Sequence, residues 1–302
     1  MKKNLFFSFS AVLMFLVFGF TSQMKAAEEL PAYFKVAELQ VSMDAAAQSV
    51  TKSLSVEGFE ILGNYSPGNN ADLQVIAFTR KDLQNICLNQ KDRGALASVL
   101  KVGLQKTNDK VVVSVLNPMY LFYAYLADYA DKFNKELTGI DKDVFAALKN
   151  VGSLHEPFGG SLESDDLKDY HFMAMMPRFD DPVELNEFSS FDEGVSIIRK
   201  NLEAKKGNTV KVYELIFPDK EIAIFGVGLL DAEEGEAYFL PIIGEGHVAA
   251  MPYEIIIEGK EATMQHGKYR FALHWPELTM GEFMKIMSTP GDVEEALEEL
   301  TK

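Results

Sequence analysis

Residues 42–54, SMDAAAQSVTKSL, and residues 190–202, SFDEGVSIIRKNL, are the same helix written twice. Met43, Ala47, Val50 and Leu54 fall on Phe191, Val195, Ile198 and Leu202 at one offset, 148 residues. Their spacing of three and four is the apolar stripe of an amphipathic helix. Ser42 and Ser190 stand where an N-cap hydroxyl accepts a backbone N–H, and Asp44 and Asp192 follow in the first turn, where a carboxylate meets the positive end of the helix.

Outward from this helix the likeness continues. LQVIAF (73–78) matches IAIFGV (222–227), both reading as buried strands, and DVFAAL (143–148) matches DVEEAL (292–297), each pair at an offset of 149. Between them KVVVSVLNPMYL (110–121) aligns with KYRFALHWPELT (268–279) at an offset of 158. That alignment predicts a second-copy strand ending at Trp275-Pro276, in the place of Asn117-Pro118. YFKVAELQV (33–41) and HFMAMMPRF (171–179) read as the first strands of the copies. Residues 152–169, rich in Gly, Ser, Pro and acids, read as a linker. The expected architecture is α+β: two tandem α/β sandwich domains, 30–151 and 170–302, each a small, mostly antiparallel sheet with helices packed on it.

The chain of 302 residues opens with Lys2 and Lys3, an apolar run from Leu5 to Phe20, and small or polar residues after it. This order fits a secretory signal peptide over residues 1–26, cut between Ser22 and Ala27, better than a membrane anchor. The protein is thus expected in the periplasm or outside the cell, with no stable membrane insertion once the signal is removed. The formal charge is −16, and a surface so acidic repels phosphate backbones, which argues against nucleic acid. Cys87, the only cysteine, lies between Ile86 and Leu88 and reads as a buried, inert thiol.

The second copy also resembles a known family. MPYEIIIEGKE, YRFALHWPEL and DVEEALEEL, with Pro252, Ile255, Ile257, Gly259 and Pro276, are similar to the family called domain of unknown function 302. The first copy departs from it, with LASVLKVGLQKTNDK where the proline-led strand is expected. The resemblance implies a tandem pair of compact α+β sandwiches and carries no catalytic residue.

Chemistry-bearing motifs are sparse. No metalloprotease H-E-x-x-H, paired-cysteine zinc site, phosphate-binding glycine loop or G-x-S-x-G elbow occurs. On a strand, His171, Met173 and Met175 would share one face, a donor set suited to copper(I). Since Phe172, Ala174 and Met176 are apolar too, a strand buried on both faces accounts for the same residues. NPMYLFYAYLADYADKF (117–133) gives a helix apolar on two faces, with Tyr120, Tyr123 and Tyr125 as candidate contacts, either to the other copy or to an outside partner. His247, His266, His274 and Trp275 complete the candidate binding residues. The expectation is a non-enzymatic protein without cofactor or metal, taking a small apolar ligand or an envelope protein at the inter-domain groove or the tyrosine helix. The alternative is an envelope enzyme or metal-binding protein whose site gathers His247, His266, His274 and Glu277.

Overall fold

The protein is described by a computed structural model covering residues 28–302, so the signal peptide expected at 1–26 lies outside the described residues. The first copy runs β1 (Glu29–Leu39), α1 (Met43–Val56), β2 (Glu60–Tyr65), β3 (Leu73–Thr79), α2 (Lys81–Cys87), β4 (Leu100–Thr107), β5 (Lys110–Leu116), α3 (Pro118–Leu126), α4 (Asp128–Lys132) and α5 (Asn134–Lys149). After β6 (Glu156–Glu163) and α6 (Ser164–Leu167) the order repeats. It continues with β7 (Val183–Glu187), α7 (Phe191–Glu203), β8 (Thr209–Phe217), β9 (Ile222–Leu229), α8 (Glu236–Ile243), β10 (Tyr253–Glu258), β11 (Glu261–Met264), α9 (Gly267–His274), α10 (Met280–Phe283) and α11 (Thr289–Glu298).

The two sheets share one topology. Strand order is β2-β3-β4-β5-β1 in the first and β8-β9-β10-β11-β7 in the second, all antiparallel, with β6 added beyond β1. The twin helices begin as their sequence requires: the Ser42 hydroxyl accepts from Ala45 N–H and the Ser190 hydroxyl from Glu193 N–H. Each sheet carries its paired helices on one face and turns the other to its twin. Leu73 and Val75 of β3 pack in the second copy's core, while their counterparts Ile222 and Ile224 of β9 pack in the first copy's. A strand covered on both faces reads as an unbroken apolar run, and β9 is buried at every residue.

The helices reciprocate in the same way. The Tyr120 hydroxyl of α3 donates to the Leu273 carbonyl of α9 at 2.8 Å, and the Tyr269 hydroxyl of α9 donates to the Ala124 carbonyl of α3 at 3.4 Å. Tyr269 follows Tyr120 by 149 residues, and Leu273 follows Ala124 by 149. Donor and acceptor exchange across the contact as in an isologous dimer, here within one chain. Gly63 of β2 sits at this junction: a Cβ there would lie 2.0 Å from the carbonyl oxygen of Val212, its counterpart on β8.

Three expectations are corrected. Residues 171–179 form no strand; the second copy starts at β7. Pro177 lies within this stretch and Pro182 just beyond it, and proline cannot donate to a ladder. Residues 267–274 are a helix, so Trp275 caps its C-terminal end instead of ending a strand. The true counterpart of Asn117, whose side chain accepts from Met119 N–H at the start of α3, is His266, whose Nδ1 accepts from Lys268 N–H at the start of α9. Residues 152–169 are no loose linker either, for they supply β6 and α6, with Leu162 opposite Leu30 of β1.

Cys87 is fully buried, and burial pushes its thiol well above the usual range. Since the thiolate is the nucleophile, the native protein is expected to resist iodoacetamide at pH 8 and to take up one equivalent in denaturant. Labelling of the native chain at a free-thiol rate would show Cys87 to be accessible.

Candidate functional site

Helix α9 divides the chemistry of the second copy. Tyr269, Arg270, Leu273 and His274 are buried on its inner side, against the first copy and the β10 strand. On its outer side Lys268, Phe271, Ala272 and Trp275 line a groove of about 210 Å³. Phe172, Met173 and Met176 form one further wall, and Leu278, Met280 and Phe283 another.

Local structure explains both walls. The Tyr170 hydroxyl donates to the Ala272 carbonyl at 3.0 Å, pinning the start of the 171–176 segment across α9. Beyond Trp275, Thr279 and Glu282 form a capping box, the Thr279 hydroxyl accepting Glu282 N–H while the Glu282 carboxylate accepts Thr279 N–H at 2.9 Å. This reciprocal cap starts α10 and so sets Met280 and Phe283 on the groove. Trp275 is 2% exposed; its indole N–H points at the Gly244 carbonyl at 3.4 Å, and its ring lies 5.7 Å from Phe271 and 5.9 Å from His247.

The groove contrasts with the rest of the molecule. None of its ten lining residues is acidic and one, Lys268, is basic, in a chain of formal charge −16. Met173 and Met280 of its lining are exposed. Unbranched thioethers adapt to the shape of a bound apolar body.

Behind α9 lies a buried ionic cluster that the sequence reading missed. Glu254 of β10 is paired with Lys101 of β4 and with Arg270 of α9, the latter at 3.2 Å. The Arg270 guanidinium also donates to the Ala250 and Pro252 carbonyls and lies 4.3 Å from the centre of the Tyr253 ring. The Tyr213 hydroxyl reaches Glu254 at 3.3 Å by passing over Gly226, where a Cβ would come within 2.2 Å of the tyrosine ring. Burial works to lower the Lys101 pKa, Glu254 works against it, and the net shift is downward. For Arg270 the pull of Glu254 and of the tyrosines outweighs the burial, and its pKa rises. Only the close packing of both copies brings these three charges together.

The candidate residues named from sequence divide sharply. Tyr120, Tyr123 and Tyr125 are buried; Tyr120 and Tyr125 meet the second copy, while the Tyr123 hydroxyl accepts from Asn134 of its own copy. The Tyr125 hydroxyl lies 2.9 Å from Gln265 Oε1 and 3.1 Å from His274 Nε2. Burial, then Arg270 and Lys101, hold His274 well below the usual histidine range. His247 is wedged edge-on to Tyr33 at 5.0 Å and Phe158 at 5.7 Å, its pKa pushed down by burial to about 4. His266 caps the far end of α9, and Glu277 is exposed on another face. The four groups of the enzyme reading therefore do not converge in one cleft. Of these tyrosines, histidines and tryptophan, Trp275 alone lines the groove.

Among the described residues no three His, Cys, Asp or Glu side chains gather closely enough to hold a metal ion, and no helix is long and apolar enough to cross a membrane. Two similar α+β copies, packed back to back about a local two-fold, define the architecture. A search of solved structures finds a likeness, over part of the chain, to the crystal structure of an uncharacterised conserved protein, a domain of unknown function 302, from Bacillus stearothermophilus. That protein is 16% identical, the alignment covers 40% of this chain and 98% of that one, and the TM-score is 0.32. No family model and no curated protein matches the chain.

Proposed function

We propose that this is an exported binding protein whose ligand is a small apolar molecule carrying an acidic group, seated in the groove outside α9. The carrying observation is the composition of that groove: methionine and aromatic walls, no carboxylate, and Lys268 at its rim. Its volume of about 210 Å³ exceeds the ~150 Å³ cavity known to admit benzene, so a ring or a short alkyl chain fits. Lys268 forms no ion pair among the described residues, which leaves its ammonium free for a ligand carboxylate. Export is supported by the order of the N-terminal residues, a basic start followed by an apolar run and then small or polar residues.

Trp275 is the only tryptophan of the chain, so its fluorescence reports on the groove directly. Octanoate is expected to change that emission saturably at micromolar concentrations, and octanol to do so more weakly. Lys268→Ala should weaken octanoate about tenfold, roughly 1.4 kcal/mol, and leave octanol alone. Ala272→Phe, which fills the groove, should abolish both responses. Unchanged emission up to millimolar octanoate would end this reading.

A further inference from the structure

The segment His171–Met176 borders two cavities, the apolar groove on one side and an open depression of about 610 Å³ on the other. His171, Met175, Met176 and His266 line the depression. We propose that it is a site for a soft monovalent metal ion, copper(I), held by His171 Nε2 and the thioethers of Met175 and Met176.

Three features support this assignment independently of the groove. The His171 Nδ1 lies 3.0 Å from the Asp169 carbonyl, which can only accept, so Nδ1 carries the proton and Nε2 keeps a bare lone pair. Orienting a ligating imidazole through its other nitrogen is how proteins commonly present a metal ligand. Met175 has φ +70, in the left-handed region that a side chain rarely adopts, and is 100% exposed. No burial accounts for holding a long thioether in that backbone, whereas strained residues of this kind concentrate at binding sites. The turn that does so is closed by Met176 N–H donating to the Met173 carbonyl at 3.0 Å, which brings Met175 and Met176 to one cavity with His171.

The neighbouring groups are otherwise engaged. The Arg178 guanidinium is paired with Asp169 at 2.7 Å, and Asp181 accepts the Arg178 backbone N–H at 3.1 Å. His266 Nδ1 spends its lone pair on Lys268 N–H, which puts the proton on Nε2 and removes it from the donor set. What remains is one imidazole and two thioethers, soft donors that favour copper(I) over zinc or divalent copper.

The test is anaerobic titration of the purified protein into the coloured copper(I) complex of bicinchoninate. The expected result is withdrawal of one equivalent of metal. His171→Asn and Met175→Leu should each weaken this at least tenfold. His266→Asn, which keeps a capping side chain, and Met280→Leu, an exposed methionine outside the depression, should leave it unchanged. Met175 does not line the groove, so octanoate binding should survive Met175→Leu and the two sites can fail separately. No withdrawal of metal at micromolar protein, or equal weakening by Met280→Leu and Met175→Leu, would overturn the assignment.

Discussion

Glu254→Gln is expected to destabilise the protein by roughly 3–5 kcal/mol, the usual cost of leaving a buried charge without its partner. Among the described residues Glu254 is the one carboxylate paired with two buried cations, Lys101 and Arg270. Removing its charge leaves both cations facing each other beneath the contact between copies. Lys101→Met should behave very differently, because it leaves the Arg270–Glu254 pair intact and removes the surplus positive charge. Lys101 has no other partner in the cluster, so a methionine of similar length is expected to change stability by about 1 kcal/mol or less. Urea unfolding of the three proteins at pH 7 checks this order. Equal losses for the two variants would show that the cluster does not act through charge balance.

The second large effect belongs to Glu236, at the start of α8. It is fully buried; Tyr65 donates to it at 2.8 Å and Gly68 N–H at 2.9 Å, both from the first copy. Burial raises its pKa to about 7 against the lowering by these bonds. A carboxyl whose folded pKa is raised binds its proton more tightly when native, so its contribution to stability falls as pH rises from about 4.5 to 7. Glu236→Gln copies the protonated form, its amide donating to Tyr65 and its oxygen accepting from Gly68. The variant should match the parent near pH 4.5 and exceed it by about 3 kcal/mol at pH 8.

His247 works in the opposite direction. Its pKa is pushed down to about 4, so its stabilising neutral form is present above pH 6.5 and lost as pH falls toward 4. Asp141, raised by burial to about 7, titrates in both proteins and cancels in the comparison. Thermal unfolding of parent and Glu236→Gln from pH 4 to 8 reads the difference, and a gap that does not widen with pH would show that the fold does not raise the Glu236 pKa.

Much of the architecture was legible in the chain because a sheet and a helix leave periodic traces. The twin helices, β3 with β9, and the closing helices were recoverable from apolar spacing alone. Where that reading failed, the failure has a physical cause. Tyr269, Phe271 and Leu273 alternate like strand residues, yet they lie on a helix covered from two sides. Tyr269 and Leu273, four apart, meet the first copy, whereas Phe271 and Trp275, also four apart, line the groove. A helix with two buried faces superposes two stripes, and their sum imitates a period of two. The stretch 171–179 misled in a related way, since its methionines read as core and stand instead around open cavities.

The sequence by itself determined that this protein is a doubled α+β unit, acidic, with one inert cysteine, because local periodicity and composition are properties of neighbours along the chain. The tertiary structure alone decided which side chains meet. Lys101, Glu254 and Arg270 carry no mark in the chain that links them and become one cluster only when β4, β10 and α9 pack. The groove at Trp275 likewise exists only because a turn anchored by Tyr170 and a helix capped by Thr279 close on opposite sides of α9. Contacts between distant segments leave no periodic mark in a single chain, so a site assembled from them is visible only in the folded molecule.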